Sequence, residues 1–181
     1  GVTRQSGLYA QLRLSLTEHV TGVAGGRWSD FEAKSRTVAP QPLTAWKAGA
    51  EANGEFTPYL GLVIHLTDAL TAYASHADTF IPQTQRKVTG EAIDPRVGKQ
   101  VELGTKASLR GGALTLAASA FRTRDVNRSY PDLANPGFFL QAGEVEVKGW
   151  EMEASGSPLP NLDLTAGYTR LLTRYVPHPT F

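Results

Sequence analysis

Ser75, His76 and Asp78 have the residue types of a nucleophile, a base and an acid close together in sequence. In an extended strand side chains alternate with period two, so His76 and Asp78 share a face while Ser75 points away. Glu151 and Glu153 stand two apart, and on one strand face they have the spacing of an acid and base pair. The same pair serves equally well as polar lining of a wet surface. His19, His65, His76 and His178 are scattered without ligand spacing, so no metal site is expected. Arg110-Gly111-Gly112 lacks the pattern of a phosphate loop and reads as a hairpin turn. There is no cysteine, hence no disulfide framework and no thiolate site. Neither a cofactor nor enzymatic activity is expected.

The elements that carry these residues are strands. Leu8 to Leu16 shows this best: every even position is apolar, while Gln11, Arg13 and Ser15 take the other face. Eight such stretches are expected: about 7–16, 20–33, 55–66, 70–80, 97–109, 113–124, 144–155 and 162–175. Short turns at Thr17-Glu18-His19, Thr67-Asp68-Ala69, Arg110-Gly111-Gly112 and Pro158-Leu159-Pro160-Asn161 alternate with long connections at 34–53, 81–95 and 125–143. Pro40 and Pro42 forbid regular pairing in the first of these. The segment around 70–80 has no clean alternation, so its facing stays open. A weak repeat, Leu16-Thr17-Glu18-His19-Val20-Thr21 against Leu66-Thr67-Asp68-Ala69-Leu70-Thr71, sits at two of the short turns.

Strands near or above the ~9 to 11 residues of a tilted membrane-spanning strand favour a barrel wall over a soluble sandwich. The fold class expected is all-β, an antiparallel meander of long strands. Arg13, Arg27, Glu102, Lys106, Glu151, Glu153 and Asp163 all lie opposite the leucines, as the lining of a wide lumen would. The chain has 181 residues, 41% hydrophobic and 19% charged, with a formal net charge of +1. No basic block stands out, which argues against a nucleic-acid partner. No stretch reaches the ~18 to 20 apolar residues of a membrane helix; barrel strands do not need one. Gly1 to Ser6 has no charged n-region followed by an apolar core, and the chain reads as an internal piece of a longer protein.

Several blocks carry a resemblance. Asn53 to Val63 (NGEFTPYLGLV), Leu66 to Gln83 (LTDALTAYASHADTFIPQ), Asp94 to Lys106 (DPRVGKQVELGTK) and Gly143 to Thr169 follow one another in order. Together they resemble the C-terminal half of the barrel of TonB-dependent ferric-siderophore receptors, over about Gly7 to Arg174. The resemblance implies residues 1–181 are part of an outer-membrane barrel of about 22 strands that encloses a plug. It implies a Gram-negative outer membrane, lipid around the wall, and a ferric siderophore as transported ligand. It also implies energy coupling to the TonB complex through an N-terminal region this segment does not include. Phe181, after Pro177-His178-Pro179, reads as loop rather than as the terminal aromatic of a closing strand.

Ferric chelates present anionic oxygens and flat apolar surfaces, which suit arginine and aromatic side chains. Trp46, Arg122, Arg124, Arg128, Tyr130, Phe138 and Phe139 have that character and are expected in loops or strand ends at the outer rim. Trp28, Trp150 and Tyr168 suit interfacial anchors better. A passive porin-like or adhesin-like barrel is the alternative function. Two open sheet edges predict that the segment alone self-associates.

Overall fold

A computed structural model describes residues 1–39 and 43–176. Its single sheet has eight antiparallel strands in sequential order: β1 (Val2–Ser15), β2 (Val20–Ser35), β3 (Lys47–His65), β4 (Leu70–Ile81), β5 (Arg96–Leu109), β6 (Leu114–Pro131), β7 (Phe139–Leu159) and β8 (Leu162–Val176). This is the meander expected from the alternation. Pro40, Pro42, His178 and the Pro177-to-Phe181 segment lie outside the described residues.

The short turns fall where expected. Both copies of the repeat close the same way: Leu16 and Thr17 donate to Val20 O at 2.8 and 3.2 Å, and Leu66 and Thr67 donate to Leu70 O at 2.9 and 3.1 Å. The threonine hydroxyl of each copy accepts a backbone N–H two residues on, from His19 and from Ala69, both at 3.2 Å. This local bond is what makes Thr a turn residue. At Arg110-Gly111-Gly112 the chain turns through φ of 54°, 66° and 96°; the last two fall on glycines, which adopt them without a steric penalty.

Two expected loops are shorter than their sequences suggest. β3 starts at Lys47, so the connection from β2 shrinks to residues 36–46. Its register with β2 shifts between Ser29 and Phe31 and again between Glu32 and Lys34, and Asp30 Oδ1 accepts the Gly54 N–H at 2.8 Å at the first bulge. The third long connection is only 132–138, because β6 runs to Pro131 and β7 begins at Phe139. These added rungs stand beyond the apolar band, and on β3 they carry Ala50 and Ala52 into a small buried cluster, so the alternation of a lipid-facing strand does not mark them.

Register carries one apolar face across the whole sheet. Leu8 pairs with Trp28, Trp28 with Phe56, Leu60 with His76, Ala74 with Leu103, Leu103 with Ala120, Ala120 with Trp150 and Trp150 with Arg170. This face has no cover: Leu8 is 71% exposed and Leu103 60%. Leu114 and Leu164 lie on the same uncovered face, where a sandwich would have turned them inward. The small buried cluster is Phe31, Ala33, Ala50 and Ala52, with Phe80 and Ala92 against it. It sits where pairing of β3 with β4 stops at Tyr59 and Ala77, next to Pro58, which has no N–H to give. Loop 82–95 fills that split, its Ile93 almost wholly buried.

Candidate functional site

The polar face is lined as the alternation requires. Tyr73 donates its hydroxyl to Glu102 at 2.6 Å, Gln100 donates to Glu102 at 3.2 Å, and Thr123 donates to Gln100 at 3.1 Å. Ser119 donates to Glu151 at 3.3 Å. Glu151 is therefore part of a cross-strand hydrogen-bond ladder, which suits a wet lumen. His76 Nε2 lies 2.9 Å from Asp78 Oδ1, with Ser75 on the other face, so the three do not form a relay. No group of three or more His, Asp or Glu side chains that could hold a metal is found among the described residues.

At the long-loop end of the polar face, five side chains come together. Arg96, on the first rung of β5, clamps Asp125 of β6: Nε donates to both carboxylate oxygens at 2.6 and 2.7 Å, and Nη2 reaches Oδ2 at 2.5 Å. Such a fork-to-fork pair fixes the orientation of both groups. Arg128 Nη1 stands 3.7 Å from the same carboxylate, beyond hydrogen-bond reach, and its guanidinium makes no side-chain hydrogen bond among the described residues. The Tyr130 ring faces that of Tyr175, on the last turnward rungs of β8, with centroids 6.3 Å apart. The chain kinks here, since Asn127 and Gly143, on facing strands, take φ of 62° and 52°. That local twist brings Arg128 to the Asp125 side, although alternation alone puts it on the opposite face. A polar clasp backs the kink: Gln83 donates to Asn127 O at 2.6 Å, and Asn127 donates to Pro95 O at 3.0 Å.

The seven expected ligand residues therefore divide. Arg128 and Tyr130 join this cluster, from strand β6 rather than from a loop. Arg122 and Arg124 are also strand residues, and they belong to the other face: Arg122 pairs with Lys148 and Arg124 with Glu146, continuous with the apolar rungs of Ala120 and Trp150. Arg122 Nε donates to Glu146 at 2.6 Å, and Arg124 Nε is 3.2 Å from Glu144. β6 carries its alternation past the apolar band and turns these arginines outward, away from the Arg128–Tyr130 cluster. Trp46 lies at the end of loop 36–46 under the Arg36 guanidinium, 4.7 Å from the ring centroid. Phe138 closes the 132–138 turn and donates its N–H to Asn135 O at 3.1 Å, while Phe139 opens β7 and donates to Arg86 O at 2.9 Å. Arg96, Asp125 and Tyr175 were not expected. Extending the Ser119, Phe121, Thr123 register by one rung would have put Asp125 on the polar face beside Arg96.

The interfacial aromatics stand where expected, on the apolar face. Trp28 stacks near Phe56 at 4.5 Å and Trp150 near Tyr168 at 5.1 Å between centroids, a girdle of the kind that marks a membrane boundary.

An uncovered apolar outer face, an aromatic girdle, a polar inner face and alternating short and long connections define a section of transmembrane β-barrel wall. The family model for "TonB dependent receptor-like, beta-barrel" matches residues 1–179, and the chain belongs to that family. It is 35% identical over 178 residues to the ferric-pyoverdine M114 receptor PbuA of Pseudomonas sp. (strain M114), covering 94% of this chain and 21% of that protein. The structure superposes on the alcaligin outer membrane receptor FauA of Bordetella pertussis with a TM-score of 0.79 at 32% identity, covering 99% of this chain and 32% of that one. It also matches the ferripyoverdine receptor of Pseudomonas aeruginosa bound to ferripyoverdine, with a TM-score of 0.78 at 28% identity over 96% of this chain and 23% of that one. The chain thus spans about a fifth of the length of the curated relatives it matches.

Proposed function

We propose that this chain is a wall segment of a TonB-dependent ferric-siderophore receptor in the outer membrane of a Gram-negative bacterium. The observation that carries it is the match along nearly the whole chain to ferric-siderophore receptors. In the complete protein a barrel of about 22 strands would enclose a plug, and the Tyr73–Glu102 and Ser119–Glu151 ladders would face it. The ferric chelate would be captured at the outer rim, where Arg128 offers donors to anionic oxygens and the inclined rings of Tyr130 and Tyr175 offer apolar surface. Iron would arrive already wrapped in its chelator, so this segment need not ligate it. Release inward would depend on the TonB complex acting through the plug region. None of the relatives named above is a porin or an adhesin, so the passive alternative finds no support.

The test is iron-limited growth on single purified siderophores, with the complete receptor as the sole uptake route. One chelate is expected to support growth, only in cells with a working TonB complex. Replacing Arg128 and Tyr130 by alanine should weaken its binding by about tenfold or more, the loss of roughly 1.4 kcal/mol, at unchanged surface level. Uptake of no chelate overturns the reading, and uptake that persists without TonB returns the passive barrel.

A further inference from the structure

The rung between Val126–Glu144 and Arg128–Ala142 is the one missing from the register of β6 with β7. Asn127 and Gly143 face each other there, both with positive φ, a conformation that asparagine tolerates better than most residues with a side chain. The kink is held from loop 82–95. Gln83, only 9% exposed, directs both hydrogens of its amide nitrogen at carbonyls: Asp94 O at 2.7 Å and Asn127 O at 2.6 Å. The Asn127 amide donates to Pro95 O at 3.0 Å, and its Oδ1 accepts from Gln141 Nε2 at 3.0 Å. Gln141 gives its other hydrogen to Asp94 Oδ2 at 2.9 Å. Asn127 is thus gripped by its backbone and by its side chain, from two ends of one loop.

This clasp sits directly behind the charged rim. Pro95 precedes Arg96, which grips Asp125, and Asn127 precedes Arg128. Arg96 and Asp125 orient each other. Arg128 has no such anchor: its guanidinium lies 3.7 Å from Asp125 and makes no side-chain hydrogen bond among the described residues. Its direction is therefore set by its backbone, which leaves the kink whose carbonyl Gln83 holds. Were the missing rung to close as regular strand, alternation would send Arg128 to the outward face with Arg124. We propose that Gln83 is a positioning residue for chelate capture: through the Asn127 carbonyl it maintains the kink that turns Arg128 toward Asp125. Because the group it places is a guanidinium, the ligand class served is a ferric chelate with anionic oxygens. The inference rests on the reading of this rim as the capture site.

Gln83→Met in the complete receptor tests it, since methionine keeps the length of the side chain and removes both donors. Hydrogen exchange without any chelate should show lower protection factors at residues 126–130 and unchanged ones at 114–122. Binding is then read with the purified radio-iron complex of the siderophore that sustains growth in the assay above. Gln83→Met should weaken binding by about tenfold in the otherwise unaltered receptor. In the Arg128→Ala receptor the same change should add almost nothing, because both act through one group. Equal weakening in both backgrounds overturns the inference, as does protection lost evenly along β6, the mark of a merely structural role. Unchanged protection at 126–130, or unchanged binding, overturns it too. Each of these results leaves the capture reading standing. If the unaltered receptor binds no chelate at all, the capture reading falls and takes this inference with it.

Discussion

Asp132 closes its loop with a single carboxylate. Its oxygens accept the N–H groups of Ala134 at 3.0 Å and Asn135 at 3.2 Å, and the Asn135 side-chain amide at 2.8 Å. The Asn135 amide first, and then the two backbone donors, hold its pKa below the ordinary value of 3.8. The folded value is depressed, so the contribution to loop order is complete above the ordinary carboxylate range and is lost as pH falls through the depressed value. Protection factors of residues 133–138, taken relative to intrinsic amide exchange at each pH, should fall on acidification below that range, and Asp132→Ala should show low protection even at neutral pH. A protection factor that does not change with pH would count against this account. Arg96 and Asp125 make a second residue-level prediction. Removing the carboxylate leaves a guanidinium with 34% side-chain exposure and no other ion-pair partner among the described residues. Asp125→Ala should therefore cost about 1.5–3 kcal/mol in thermal or chemical unfolding of the complete receptor. The Arg96→Ala, Asp125→Ala double variant should cost less than the two single changes added together, since the pair acts as a unit.

The elements show where hydrophobic pattern suffices and where it stops. On β4 and β5, Tyr73 lies directly opposite Gly104, and its ring occupies the space a side chain there would take: an added Cβ would meet ring atoms at 2.4 Å. Gly104→Val should push Tyr73 off Glu102 and loosen the ladder, at a cost of about 1–3 kcal/mol typical of overpacking. A lowered melting temperature, partly restored by Tyr73→Ala in the same chain, is the expected result; no rescue would locate the damage elsewhere. Strands such as β1 and β5 were legible because leucines and polar residues alternate cleanly against hydrocarbon and water. β4 was not, since its lipid-side rungs read Leu70, Ala72, Ala74, His76 and Asp78, and the small residues blur the period before His76 and Asp78 pass above the membrane boundary. The same limit hid the outer halves of β6 and β7. There neither face touches hydrocarbon, so residues 125–131 and 139–143 look like loop although they continue a ladder. The rim cluster was half legible: arginine and tyrosine chemistry pointed to Arg128 and Tyr130, but the kink at Asn127 and Gly143 that turns Arg128 toward Asp125 has no hydrophobic signature.

At the scale of the whole molecule, the sheet is open. β1 and β8 each pair with one neighbour only, and both are exposed along nearly their whole length. Unpaired N–H and C=O groups over 14 and 15 residues are templates for another strand, and the leucine face adds a broad apolar surface with nothing over it. In a membrane both demands are met at once, by neighbouring wall strands at the edges and by lipid across the face. In water neither is met, and a second copy of the chain can satisfy both by edge pairing and by stacking leucine faces. The chain on its own should therefore sediment as oligomers in detergent-free buffer, and detergent above its micellar concentration should shift it toward smaller species. Lysine at Leu12 and Leu103, on the outer face of an edge strand and a central strand, should separate the two causes. If apolar stacking dominates, those changes shrink the oligomers without detergent; if edge pairing dominates, they do not. A clean monomer of the unaltered chain in buffer alone would contradict both, and with them the assignment of the leucine face to lipid.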